Sequence, residues 1–387
     1  MDFTLSEEHR LIQETSRRIA QHVIKPRAAE VDQTATYPED YFQAFKQAEL
    51  LGVTLPREVG GADAGALALA LAIEEVAKYD CSAGLILLLS SLSTHTVKLF
   101  GTEAQKQWYM GAVARGERKA AFCLTEPDAG SDVAALKARA RRDGDEYVIS
   151  GQKCYISGGP VADQLIVFAK LDPASPRSLS GFLVETNMLG FEVTSVDKKM
   201  GVRGVPTGTL TFDEVRVPRS HLVGEIEDLG LRGPLATLNT LRPVVGARGL
   251  GLAEGALAYA LDFARERVAF GGPIVELQTI QNKLAEMAIE IEAARLLVYQ
   301  GCWLVDQGRF GPADGHYLSI AKTYASEMAN RVASEALQIL GAQGYMQDHP
   351  LERHYRDARQ LMIVECTSEI QRVVIARSLI DRNLVYP

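Results

Sequence analysis

Phe122-Cys123-Leu124-Thr125-Glu126-Pro127-Asp128-Ala129-Gly130-Ser131-Asp132 marks the point at which the texture of this 387-residue chain changes. Upstream, residues 4–120 read as helical. Ser6 can cap a first helix that carries Leu11, Ile12 and Ile19 at helical spacing. Two further runs, 66–79 and 85–100, follow a loop punctuated by Pro56 and Gly60-Gly61. Downstream, to about Gly224, glycine and proline recur and apolar runs are short. Residues 147–150 and 153–157 flank Gly151-Gln152 in the manner of a hairpin, and 164–171, 180–185 and 209–217 also read as strands. Beyond Gly233, segments 236–267, 277–307, 315–341 and 368–383 carry a 3.6-residue period with abundant Ala and Leu. The expected architecture is mainly α with a central β domain. An N-terminal helical domain (1–120) precedes an antiparallel β-barrel or sandwich (121–230), and a C-terminal four-helix-bundle-like domain (231–387) completes it.

Composition narrows the function classes. The chain is 47% hydrophobic and 23% charged with a net charge of −8. This is globular usage, and it disfavours a nucleic-acid binder or a polybasic membrane anchor. The most apolar stretch, 85–89, is too short to span a bilayer. The five cysteines, Cys81, Cys123, Cys154, Cys302 and Cys366, are odd in number and contain no C-x-x-C pair. Neither a disulfide framework nor a zinc site fits, and reduced thiols in a cytoplasm are expected. The N-terminal residues carry Asp2, Glu7 and Glu8 and no signal-peptide core.

The stretch Gly246-Ala247-Arg248-Gly249-Leu250-Gly251 imitates a dinucleotide loop, but its spacing is wrong for G-x-G-x-x-G and no strand precedes it. A helix whose small residues admit a close neighbour is the better reading. Five other segments carry chemistry. Residues 122–132 include Gly130, which permits a tight turn whose N–H groups could face an anion or a ring edge. Tyr155-Ile156-Ser157-Gly158 ends a strand with an aromatic and a hydroxyl suited to covering and bonding a flat ring. Arg267-Val268-Ala269-Phe270-Gly271, followed by Gln278, offers a guanidinium fork for phosphate. The last two are Gln338-Ile339-Leu340-Gly341-Ala342-Gln343-Gly344-Tyr345 and Val364-Glu365-Cys366-Thr367-Ser368-Glu369-Ile370-Gln371-Arg372.

Taken in order along the whole chain, and with Gly201-Val202-Arg203-Gly204, these segments resemble the acyl-CoA dehydrogenase family. The resemblance implies FAD bound between the β domain and the C-terminal helices, an acyl-CoA substrate, an electron-transfer flavoprotein as acceptor, and a homotetramer. It places Phe122, Leu124, Thr125, Gly130, Ser131, Tyr155, Ile156 and Ser157 along the flavin, with Thr367 and Glu369 also lining the cofactor. Arg267, Phe270, Gln278, Gln338, Gly341 and Ala342 would reach the FAD of a neighbouring subunit. Ser131, Asn239, Arg242, Glu365 and Cys366 would meet the substrate, with Glu365 as the base. The α-hydrogen of a thioester is a weak acid. A carboxylate must remove it while the β-hydrogen leaves as hydride, and partial burial would raise that carboxylate toward neutrality.

Five positions that differ from the pattern of the family, or of some of its members, bear on the substrate. Cys366 replaces a usual glycine and Val364 a usual aromatic, which suggests an acyl group bulkier or differently shaped than a straight chain. Leu241 stands where some relatives carry the base, and Asn239 where an aspartate is common. Ala83 stands where dicarboxyl-specific relatives carry arginine, so an apolar tail, branched or alicyclic, is expected. Cys366 reads as a small packing residue rather than a redox nucleophile. His349 and His354 do not have metal-pair spacing, and Arg353, Arg356, Asp357 and Arg359 read as a salt-bridged run. The alternatives are oxygen-dependent or non-oxidative elimination chemistry on the same fold, or a silent assembly subunit.

Overall fold

A computed structural model describes residues 4–175, 178–311 and 313–381. The N-terminal block holds α1 (Glu7–Ile19), α2 (Ala28–Thr34), α3 (Glu39–Gln47), α4 (Gly65–Ala77), α5 (Cys81–Phe100), α6 (Glu103–Gln105) and α7 (Gly111–Ala114). Ser6 caps α1 by accepting from the His9 N–H (3.1 Å), which satisfies one of the donors a helix start leaves unpaired. Helices α4 and α5 are apolar on nearly every face and are buried on nearly every face, as an all-round hydrophobic helix must be.

The β domain is built from two sheets. In the first, β1 (Ala120–Cys123), β4 (Gln164–Ala169) and β5 (Ser180–Glu185) lie in the order β1-β4-β5. In the second, β2 (Arg139–Asp143), β3 (Glu146–Ser157), β7 (Thr207–Pro218) and β6 (Phe191–Val196) lie in the order β2-β3-β7-β6. Their facing side chains, among them Tyr147, Ile149, Leu165, Val167, Phe182 and Phe212, form a core of their own. Two expectations need correction. Gly151-Gln152 is not a hairpin turn. Strand β3 runs unbroken through it, and the turn lies at Gly144, between the paired Asp143 and Glu146. Gly151 is a bulge, with φ 147° and a register shift against β7; a Cβ there would fall 2.8 Å from Ala138 Cα. Nor is the domain wholly antiparallel, because β1 pairs with β4 in parallel, Ala121 opposite Leu165.

The C-terminal helices are α8 (Arg232–Glu266), α9 (Gln278–Asp306), α10 (Gly315–Leu340), α11 (Leu351–Leu361) and α12 (Ser368–Asp381). A small hairpin, β8 (Val268–Ala269) with β9 (Gly272–Pro273), joins α8 to α9. The charged run at 353–359, read as a salt-bridged segment, is helix α11; the last residues of the predicted final helix, 382–383, lie outside the described residues. Within α11, Arg356 Nη2 lies 2.6 Å from Asp32 Oδ2 and Asp357 Oδ1 accepts from the Val202 N–H at 2.5 Å. These contacts tie α2 and the Gly201–Gly204 loop, respectively, to the bundle.

The glycine-rich stretch of α8 is the close-packed helix expected. A Cβ at Gly251 would sit 2.1 Å from the Glu74 carbonyl oxygen, and one at Gly255 1.9 Å from that of Lys78. Two helices, Cys81–Phe100 and Arg232–Glu266, are long and apolar enough to cross a membrane, but their apolar windows are 78% and 67% buried inside the protein. Their apolarity is accounted for by the core.

Candidate active site

Strands β1 and β3, helices α5 and α8, and the turn between α11 and α12 meet around a cavity of about 330 Å³. The sequence segments 122–131, 155–157 and 364–367, far apart in the chain, converge on it. Phe122, Leu124, Thr125, Gly130, Ser131, Tyr155, Ile156, Ser157, Val364, Glu365, Cys366 and Thr367 all line it.

The 122–131 segment owes its shape to a buried ion pair. Lys153 Nζ, fully buried in β3, lies 2.7 Å from Glu126 Oε1 and donates to the Leu124 carbonyl at 2.9 Å. Glu126 in turn accepts from the Lys137 and Ala138 N–H groups. The buried Glu126 carboxylate and Lys153 ammonium are thereby satisfied internally, which is what a buried charge requires. Gly130 leaves open space, since a Cβ there would meet nothing closer than Thr125 Cγ2 at 4.0 Å. Across the groove Tyr155 is 69% exposed and held at φ 57°.

The opposite wall carries Glu365. Helix α11 ends at Leu361, and the chain turns through two successive left-handed residues, Glu365 (φ 51°) and Cys366 (φ 79°), before α12 begins. Both are non-glycine residues in a region that costs roughly 1–2 kcal/mol each, and such outliers concentrate at functional sites. The turn is held from outside. Lys322 Nζ of α10 donates to the Cys366 carbonyl (2.8 Å) and Gln371 Nε2 to the Glu365 carbonyl (3.4 Å). Thr367 Oγ1 accepts from the Ile370 N–H (3.3 Å) and so starts α12.

The Glu365 carboxylate faces the cavity, and its Oε2 has no hydrogen-bond partner among the described residues. Burial pushes its pKa up to about 7, against the opposing pull of Arg248, Lys322 and Arg242. The Glu365 N–H likewise finds no acceptor among the described residues. A base poised near neutrality next to a free backbone donor can take a proton from carbon while a neighbouring oxygen gains charge.

Not every expected residue comes here. The Asn239 side chain donates to the Phe310 carbonyl at 3.1 Å and does not line the cavity, a correction to its expected ligand role. Its amide is committed to the α9–α10 connection. Arg242 is buried and donates to Ser319 Oγ (3.0 Å); it acts on Glu365 through its field but is not among the cavity-lining residues. Glu369, in the first turn of α12, also falls outside the lining. Arg267, Phe270 and Gln278 gather at the β8–β9 hairpin and the start of α9, with Phe270 94% exposed at φ 53°. Gln338, Gly341 and Ala342 lie at the end of α10. Neither group touches this cavity within one chain.

Sequence reasoning missed Arg248, Lys322 and Gln360. Arg248 and Gln360 line the cavity, and Lys322 braces its wall. Arg248 lies inside the stretch set aside as a false dinucleotide loop. A charged residue at a fully buried helical position was the one signal that could have found it.

Three family descriptions cover the chain almost end to end: "Acyl-CoA dehydrogenase, N-terminal domain" over residues 6–117, the middle domain over 121–215 and the C-terminal domain over 228–380. "Probable acyl-CoA dehydrogenase fadE25" of Mycobacterium leprae is 38% identical over 379 residues, 98% of this chain and 97% of the relative. Cyclohexane-1-carbonyl-CoA dehydrogenase of Geobacter metallireducens is 38% identical over 380 residues, 98% and 99% of the two chains. Among solved structures, a glutaryl-CoA dehydrogenase from Mycobacterium smegmatis in complex with FADH2 superposes with a TM-score of 0.91 at 29% identity, covering 98% of this chain and 96% of that one.

Proposed function

The chain belongs to the acyl-CoA dehydrogenase family of flavin-dependent oxidoreductases, and we propose that it removes the α- and β-hydrogens of an acyl-CoA thioester with Glu365 as base. FAD is the cofactor of this family, and the groove fits it. The hydroxyls of Thr125, Ser131, Ser157 and Thr367 supply donors and acceptors for a ring edge, Tyr155 offers an exposed aromatic face, and the open space beside Gly130 admits a flat group. When bound, FAD accepts the β-hydrogen as hydride.

The rest falls to the protein. Glu365 takes the α-proton onto the orphaned Oε2. Its own N–H donates to the thioester oxygen as charge develops there. The Lys322 contact to the Cys366 carbonyl holds that N–H and the carboxylate in a fixed relation. Leu85, Leu89, Leu92 and Leu238 exclude water around the acyl chain. Val364 and Cys366 shape the carbonyl end for a compact acyl group, branched or cyclic, a reading the Geobacter relative's name supports. Electrons leave to an electron-transfer flavoprotein, and the working unit is a homotetramer in the cytoplasm.

The observation that carries this reading is a buried carboxylate held near pH 7 with an unpartnered oxygen in a cavity lined by the flavin-facing segments. Anaerobic mixing of the holoenzyme with acyl-CoA thioesters should bleach the flavin spectrum. Glu365→Gln should slow that bleaching by about a hundredfold to ten-thousandfold while retaining bound FAD. Normal bleaching by the variant would refute the assignment of the base.

A further inference from the structure

The cavity contains a buried cation with hydrogen-bond donors that the proposed reaction does not use. Arg248 is fully buried in α8 and lines the cavity. Its Nη2 donates to Gln360 Oε1 at 2.9 Å and approaches Cys81 Sγ at 3.4 Å and the Cys81 carbonyl at 3.5 Å, all uncharged partners. Its Nε and Nη1 have no partner among the described residues. No carboxylate lies within ion-pair distance of it among the described residues. Of the acids on the neighbouring elements, Asp80 accepts from the Ser82 N–H through Oδ1 and keeps Oδ2 unpartnered among the described residues, and Asp357 accepts from the Val202 N–H; neither forms an ion pair with Arg248. A guanidinium taken out of water with two unused donors is expensive unless something completes it.

Its position says what that something is. A Cβ on Gly84 would touch Arg248 Cγ at 3.3 Å, so the side chain lies against the first turn of α5. Further along α5, Leu89 approaches Gly158 of the β domain, where a Cβ would fall 2.9 Å from its Cδ1. Eight residues of helix separate Cys81 from Leu89, about 12 Å. Arg248 therefore occupies the end of the cavity away from the flavin-facing strands, and the leucines lie between.

Of the three cations that act on Glu365, Arg248 alone lines the cavity. We infer that Arg248 is a specificity-determining residue that receives a carboxylate at the far end of the acyl group, so that the substrate is the CoA monothioester of a dicarboxylic acid. This rests on the acyl-CoA dehydrogenase reading above. It replaces the wholly apolar tail expected from Ala83, and the apolar branched or cyclic acyl group of the reading above, because the guanidinium reaches this end of the cavity from α8 instead of α5. A carboxylate accepts two parallel N–H bonds from the Arg fork, and a site built to bond such a group discriminates strongly against analogues that lack it.

The test compares CoA monothioesters of glutaric, adipic and pimelic acids with length-matched alkyl thioesters and with cyclohexanecarbonyl-CoA, read by anaerobic flavin bleaching. In the wild-type holoenzyme the best ω-carboxyl thioester should exceed its alkyl match in kcat/KM on the order of a hundredfold or more. Arg248→Gln should abolish or invert that ratio, chiefly through KM for the ω-carboxyl series, and Arg248→Lys should restore part of it. A wild-type enzyme that prefers the alkyl or cyclohexyl thioesters overturns the inference while leaving the dehydrogenase reading intact. So does an Arg248→Gln variant whose ratio is unchanged and whose pH profile alone moves, since Arg248 would then act only on Glu365. Bleaching by none of the thioesters overturns the dehydrogenase reading and this inference with it.

Discussion

Glu365 holds a protonation balance that the surrounding cations only partly offset. Burial lifts it to about 7 against Arg248, Lys322 and Arg242. The rate of flavin reduction should therefore rise with pH to a plateau above about 7, which stopped-flow bleaching across pH checks. The stability consequence has the opposite sign. The folded state binds this proton more tightly than the unfolded chain, so ionisation opposes folding as pH rises from 4.5 through 7. Glu365→Gln should accordingly be more stable than the wild type by about 3 kcal/mol above neutrality, with the gap vanishing below pH 4.5. Thermal unfolding at several pH values measures it. Next to it, Cys366 adopts φ 79°, a conformation suited to glycine. Cys366→Gly should relieve about 1 kcal/mol of strain and raise the unfolding midpoint. That the family usually has glycine there was legible from the motif; the strain was not, because sequence does not report a dihedral.

At the scale of elements, α8 joins the domains. Gly251 and Gly255 are places where the backbone carbonyls of Glu74 in α4 and of Lys78 just after it arrive at contact distance, while Gly246 and Gly249 admit α9 and α10. Gly251→Ala should cost about 1–3 kcal/mol through forced separation of α4 and α8, measured by denaturant unfolding; an unchanged midpoint would refute that packing argument. The sequence showed a helix of small residues but not what they pack against. The β domain teaches a related lesson. Gly151-Gln152 has the composition of a turn, yet β7 pairs along β3 on both sides of it. The partner strand lies some sixty residues downstream, so local turn signals could not outweigh it. Strands 180–185 and 164–169 were legible because each is a short apolar run bounded by turn residues.

At the scale of the molecule, the exposed Phe270 hairpin and the α10 end hold the segments expected from the resemblance to reach a cofactor, and neither lines the cavity of its own chain. If they serve a neighbouring subunit, assembly and cofactor retention are coupled. Arg267→Ala should lower FAD content in the purified protein, and light scattering should show the wild type as a tetramer. A monomer that keeps full FAD would refute this.

The order of the three layers and the helical and strand textures were determined by the sequence alone, because each depends on residues close together in the chain: a period, a turn signal, a short apolar run. Glu365 as a candidate base came from the family resemblance carried by motifs along the whole sequence. Tertiary structure alone decided the rest. Arg248 meets Cys81 and Gln360 across 167 and 112 residues, and Lys322 reaches Cys366 across 44. Periodicity reports that a helical face is buried but not what it is buried against. The charges that tune the base and mark the far end of the acyl cavity came into view only when the helices were packed.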